Sequence, residues 1–179
     1  MSRRNQNRAG SGRPPFDAAQ LQALAISYVG RYATTRSRLA QYLTRKIAER
    51  GWAGEGAPPV DAIVARCVAL GYVDDAAFAA ARGAALARRG FGARRIGQAL
   101  YAAGIDAQDA EPVCATARES ALESALLFAR RKRIGPYAVA PLDEDRRRRA
   151  LAAMLRAGHA FEVARRVVNS AIGVIPTEE

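Results

Sequence analysis

Residues 93–100, "ARRIGQAL", decide how this chain is read. Ile96 and Leu100 stand four apart on one helical face, two arginines open the segment, and Gly104 follows soon after its end. The same arrangement occurs twice more. "RSRLAQYL" (36–43) carries Leu39 and Leu43 and is followed by Gly51, and "RRALAAML" (148–155) carries Leu151 and Leu155 and is followed by Gly158. The three copies lie 57 and 55 residues apart. An apolar-Ala pair precedes each copy on another helical stretch: Leu24-Ala25, Phe78-Ala79 and Phe128-Ala129. A short helical unit cannot bury its apolar stripe alone, so stacked copies must share cores.

The expected fold is therefore all-α, with about three tandem three-helix repeats forming an elongated, curved helical array. Helices are expected over 17–31, 35–50, 60–70, 74–89, 93–103, 107–117, 119–133, 143–156 and 160–172, from apolar spacing and glycine stops. We divide the chain into a disordered basic arm (1–16), a first repeat (17–57), a second (58–106), a third (107–175) with an insertion near 134–142, and a tail (176–179). A single irregular bundle remains the alternative.

The chain has 179 residues, half of them hydrophobic, a formal net charge of +11 and a pI near 10.7. This excess favours a polyanionic partner, although the charge also fits a genome that writes Arg and Ala freely. Two distant cysteines, Cys67 and Cys114, suit core packing in a reducing, cytoplasmic setting. No apolar run is long enough to span a bilayer, and the N-terminus lacks a signal-like apolar segment.

Arginine at a helix C-terminus complements the macrodipole, and Arg45, Lys46, Arg50, Arg88, Arg89 and residues 130–133 each fit that simpler reading. Arginine at a helix start forgoes about 0.3–1 kcal/mol per charge. Arg36 and Arg38, Arg94 and Arg95, and Arg146 to Arg149 occupy such starts at matching places in the repeat. They suggest a basic stripe, against the simpler reading of a solvated face with salt bridges. The candidate binding residues are Arg36, Arg38, Arg88, Arg89, Arg94, Arg95, Arg147, Arg148 and Arg149. Reversing Arg94 and Arg95 to Glu is expected to weaken binding with little loss of folding.

No phosphate loop is present, and "GFGARRIG" (90–97) opens a helix rather than closing on a dinucleotide. His159 lacks ligand companions and reads as a surface or capping residue. Five tyrosines (28, 32, 42, 72 and 101) are read as helix packing. No catalytic residue, metal or cofactor is expected. In "LGYVDDAAFA" (70–79), Gly71 closes one helix, Asp74 is placed to cap the next, and Asp75 adds first-turn charge. Val73 and Phe78 have hydrophobic-staple spacing.

"LGYVDDAAFA" followed by "RRGFGARRIGQALYAAGI" resembles the central signature of the RecX family, regulators of the RecA recombinase. The matching positions include Gly71, Tyr72, Asp74, Asp75, Phe78, Gly90, Ile96, Leu100 and Gly104, together with Leu70, Ala79, Arg82, Arg95 and Ile105. Ala102-Ala103 departs from it, since a basic residue is frequent there. The resemblance covers about residues 20–106. It implies an all-helical repeat array and a non-enzymatic protein. Such a protein lodges in the RecA–DNA filament and restrains RecA ATPase and strand exchange, with consequences for recombination and the SOS response. The expected partners are the RecA filament and single- and double-stranded DNA, with no membrane, and the protein is expected to be a monomer. A helix-turn-helix DNA binder and a helical-repeat adaptor for an acidic protein remain open.

Overall fold

A computed structural model describes residues 13–177. Among these, α1 is Ala18–Val29, α2 Arg36–Arg50, α3 Val60–Ala69, α4 Asp75–Ala87, α5 Ala93–Tyr101, α6 Ala107–Glu119, α7 Ala121–Lys132, α8 Glu144–Arg156 and α9 Phe161–Asn169. A 3₁₀ turn, Gly135–Tyr137, lies in the expected insertion. No β-strand occurs among the described residues, only an isolated bridge between Phe16 and Trp52.

The helix starts follow from local chemistry. Asp17, Thr35, Asp106 and Asp143 each precede a helix and accept its third backbone N–H, at 2.8, 3.2, 2.9 and 2.7 Å. Each such cap contributes about 1 kcal/mol. The ends share another device. Gly71, Gly90, Gly104 and Gly158 have φ of 72, 74, 74 and 95°. The residue after each glycine donates its N–H back across the last turn, as in Ile105 N to Leu100 O at 3.2 Å. This is the left-handed closure that glycine adopts without strain. At the end of α7 the same role falls to Arg133, at φ 55° and ψ 51°, with Ile134 N reaching Ala129 O at 2.9 Å. A left-handed Arg costs about 1 kcal/mol relative to Gly.

The chain divides into two compact units, 1–74 and 75–179. The first holds one core, in which Leu21 and Ala25 from α1, Leu39 and Leu43 from α2, and Ile63, Val64 and Cys67 from α3 pack together. The second unit holds two. One joins Ala79 and Leu86 of α4 to Ile96 and Leu100 of α5, with α6 against them. The other joins Leu122, Ala125 and Ala129 of α7 to Met154 of α8 and Ala164, Val167 and Val168 of α9. The helices thus form three successive three-helix sets. Ala25, Ala79 and Ala129, the alanines of the three apolar-Ala pairs, are each wholly buried.

Several expectations need correction. The expected seams at 57/58 and 106/107 would assign α3 to the second repeat and α6 to the third. Instead α3 packs on the first core and α6 on the second. The loop 51–59, within which the 57/58 seam was expected, lies inside the first set. In the third repeat the core pair is Ala150 and Met154, at 8 % and 0 % exposure, whereas Leu151 and Leu155 only flank it. The true spacing from the second copy is therefore 54 residues rather than 55. The expected arm extends too far, because Phe16 is buried and donates its N–H to Gly51 O at 3.0 Å. Residues 1–12 of that arm, and 178–179 of the tail, lie outside the described residues. Val73 belongs to the first core, and Phe78 packs against the second.

Candidate nucleic-acid interface

Within the second unit, α5 begins where α8 ends. Gly92 N donates to Ala157 O at 3.0 Å and Arg94 N to Gly158 O at 3.3 Å. The orphan N–H groups of one helix start are thereby satisfied by the orphan carbonyls of another helix end. The backbones approach so closely that a Cβ on Gly92 would lie 2.4 Å from Gly158 O. The Arg94 guanidinium donates to Leu155 O at the same junction. This explains an arginine at the start of α5: its charge sits against the negative end of α8. Reversing Arg94 would therefore cost stability as well as charge, contrary to the expectation of little folding loss. Arg95 is exposed and is the cleaner probe.

The nine candidate arginines are not all gathered together. Arg94 and Arg95 stand beside the C-terminal end of α8, whereas Arg147, Arg148 and Arg149 lie in its first two turns, about 10 Å away along the axis. Arg147 donates to Leu142 O at 3.3 Å, Arg148 pairs with Asp145, and the neighbouring Arg146 pairs with Asp143 at 3.4 Å. Arg36 and Arg38 are exposed in the first turn of α2 in the first unit. Arg88 and Arg89 follow α4, and the Arg131 guanidinium of α7 donates to Arg89 O at 2.7 Å. That bond brings the C-terminal ends of α4 and α7 together.

His159 is the sharpest departure from the sequence reading. It is 4 % exposed, not a surface residue. It follows Gly158 as the buried Ile105 follows Gly104, so it occupies an apolar position of the closure. Its Nε2 lies 3.1 Å from Gly90 O, which requires the proton on that nitrogen. Nδ1 is buried without a partner. Burial pushes its pKa below the ordinary 6.5, opposed by the bond to the Gly90 carbonyl. The folded state thus binds the proton less readily than the unfolded chain. Stability should be full above about pH 6.5 and decline as pH falls through the lowered value. Melting temperature should drop between pH 8 and 5.5 in the native chain and much less in His159→Gln; an equal drop in both would refute the assignment.

The structural signature is equally specific. Asp74 immediately precedes α4, and Asp75 is its first residue and is buried. First-turn charge was expected for Asp75, but burial was not. Tyr28 stacks on Tyr42 with ring centroids 4.1 Å apart, as packing predicts. Tyr72 and Tyr101 instead stand 53 % and 83 % exposed. Cys67 is buried, which raises its thiol pKa. Among the described residues no three His, Cys, Asp or Glu side chains gather as a metal site, and no helix is long and apolar enough to cross a membrane.

Regulatory protein RecX from Myxococcus xanthus (strain DK1622) is 35 % identical to this chain over 161 residues, covering 84 % of each. The chain belongs to the RecX family. The model of the second three-helix domain of RecX matches residues 74–113, which span α4, α5 and part of α6. A crystal structure of RecX from Lactobacillus salivarius shares the fold at a TM-score of 0.64 and 14 % identity, over 82 % of this chain and 91 % of its own. A second crystal structure, of regulatory protein RecX, matches at 0.60 and 19 %, over 82 % and 70 %.

Proposed function

We propose that this chain is a non-enzymatic, cytoplasmic regulator that binds the RecA–DNA filament as a monomer. It lowers RecA ATPase and strand exchange, and so restrains recombination, repair and SOS-linked activities. The observation that carries this reading is the 35 % identity across most of the chain to a regulatory protein RecX, with the "LGYVDDAAFA" signature intact. The net charge of +11 supports contact with a polyanionic filament. The exposed arginines at helix starts, Arg36, Arg38, Arg95 and Arg149, are candidate contacts together with Arg88 and Arg89.

The test is RecA ATPase on single-stranded DNA with increasing amounts of the purified chain. Inhibition is expected at or below one copy per RecA protomer, and an unchanged rate at stoichiometric levels would overturn the reading. A helix-turn-helix binder would instead prefer one duplex sequence by roughly 10³-fold or more over non-specific DNA.

A further inference from the structure

Most basic side chains with a described ion pair have an acid three or four residues away on the same helix. Lys46 and Arg45 pair with Glu49, Arg146 with Asp143, Arg148 with Asp145, and Arg165 with Glu162. Other basic side chains, Arg66 and Arg156 among them, have no described ion pair, but at one place six such side chains gather. Arg88 and Arg89 at the end of α4, and Arg130, Arg131, Lys132 and Arg133 at the end of α7, are all exposed. None is in an ion pair with a described carboxylate. No acidic residue occurs between Asp75 and Asp106, or between Glu123 and Asp143. Along α7, Glu123 is about 10 Å from Arg130 at 1.5 Å per residue, beyond the Debye length of about 8 Å at physiological salt.

The two ends are held together rather than apart. Arg131 donates to Arg89 O at 2.7 Å. Gly90 lies against α7 so tightly that a Cβ there would be 2.6 Å from Phe128 N. Arg89 in turn rests over the Phe91 ring at 5.2 Å. Helix dipoles do not explain the cluster, because two C-termini supply about one negative charge in total against six positive ones. The fold also holds Arg133 in a left-handed conformation where four sibling closures use glycine. A strained charged residue kept where an unstrained neutral one would serve points to use rather than architecture.

We propose that this α4–α7 cluster is a binding site for the phosphodiester backbone of a nucleic acid. The proposal deepens the reading above and rests on it for the choice of a nucleic acid. Arginine, five of the six, matches phosphate with paired N–H donors. The cluster offers little of the aromatic and aliphatic anchoring that a protein interface centres on, since Leu127 is its main exposed apolar neighbour. A repeating anion needs no such anchor.

The test is fluorescence anisotropy of a labelled 30-nucleotide oligo-dT, and of a duplex of equal length, with the full chain between 50 and 200 mM salt. Arg88→Glu combined with Arg130→Glu should weaken binding tenfold or more. It should also flatten the salt slope on the single strand by about 1.4, at about 0.7 per lost contact. Arg133→Gly should weaken binding several-fold while raising the melting temperature, which separates lost contact from lost fold. Arg165→Glu, outside the cluster, should change little. Loss in the cluster variants no greater than in Arg165→Glu, or no oligonucleotide binding by the native chain, would overturn the site. Variants that keep oligonucleotide binding but lose the effect on RecA would also overturn it, by making the cluster a protein contact. Native binding that depends on the cluster without any effect on RecA would leave the site standing and sink the regulatory reading alone.

Discussion

Gly92→Ala is expected to destabilise the second unit by about 3–5 kcal/mol, through overpacking and the loss of two or more junction hydrogen bonds. The new Cβ would fall 2.4 Å from Gly158 O and 2.6 Å from His159 N. Both are backbone atoms, so no side-chain rotation relieves the clash. The α5 start and the α8 end must separate. That breaks Gly92 N to Ala157 O and Arg94 N to Gly158 O, and pulls Arg94 from Leu155 O. Such a loss is a large fraction of the 5–15 kcal/mol typical of a domain. Gly71→Ala is the matched control. Its φ of 72° imposes backbone strain of about 1 kcal/mol, but a Cβ there meets nothing within 4 Å. Urea unfolding followed by far-UV circular dichroism measures both variants. Trp52, the single tryptophan, lies against the first core and reports on that unit separately. A loss in Gly92→Ala no larger than in Gly71→Ala would show that the junction is not the tight contact described.

That junction marks the boundary of what the sequence made legible. Helical periodicity, caps and glycine stops are local, and they placed nearly every helix within two or three residues. Thr35 and Asp143 stand at expected helix starts, and each proves to cap its helix through a side-chain oxygen. Which helix packs with which is a non-local property, and there the reading failed. Nothing in 51–59 says that α3 returns to the first core, since a Gly/Pro-rich loop looks the same inside a unit as between units. Arg94 looked like a free cation because its acceptor is a carbonyl 61 residues away. His159 looked like a surface or capping residue because it lacks ligand companions and follows a glycine between helices. The signal that could have found it was the repeat itself, which aligns it with Ile105 directly after a closing glycine. The exposed arginine clusters were visible as composition, but their pairing was not. The acid-free runs 76–105 and 124–142 could have separated the α4–α7 cluster from the self-neutralised start of α8.

Met154→Ala is expected to cost about 2–5 kcal/mol, and Leu155→Ala markedly less. Apolar pattern alone ranks them the other way, because leucine is the more typical core residue and Leu151/Leu155 reproduce the Ile96/Leu100 spacing. Packing overrules this. Met154 is wholly buried among α7 and α9 side chains, and Ala150 is nearly so one turn before it. Leu155 is half-buried, and its contribution to the α5 junction is its backbone carbonyl, which alanine retains. The one-residue offset has a physical cause. It rotates α8 by about 100°, so that a small Ala and a flexible Met face the core. Two larger leucines then flank the core instead of filling it. The same denaturation measurement separates the two possibilities. If Leu155→Ala proves the costlier change, the leucines face the core, the spacing of 55 residues is restored, and the placement of α8 over α7 and α9 is wrong.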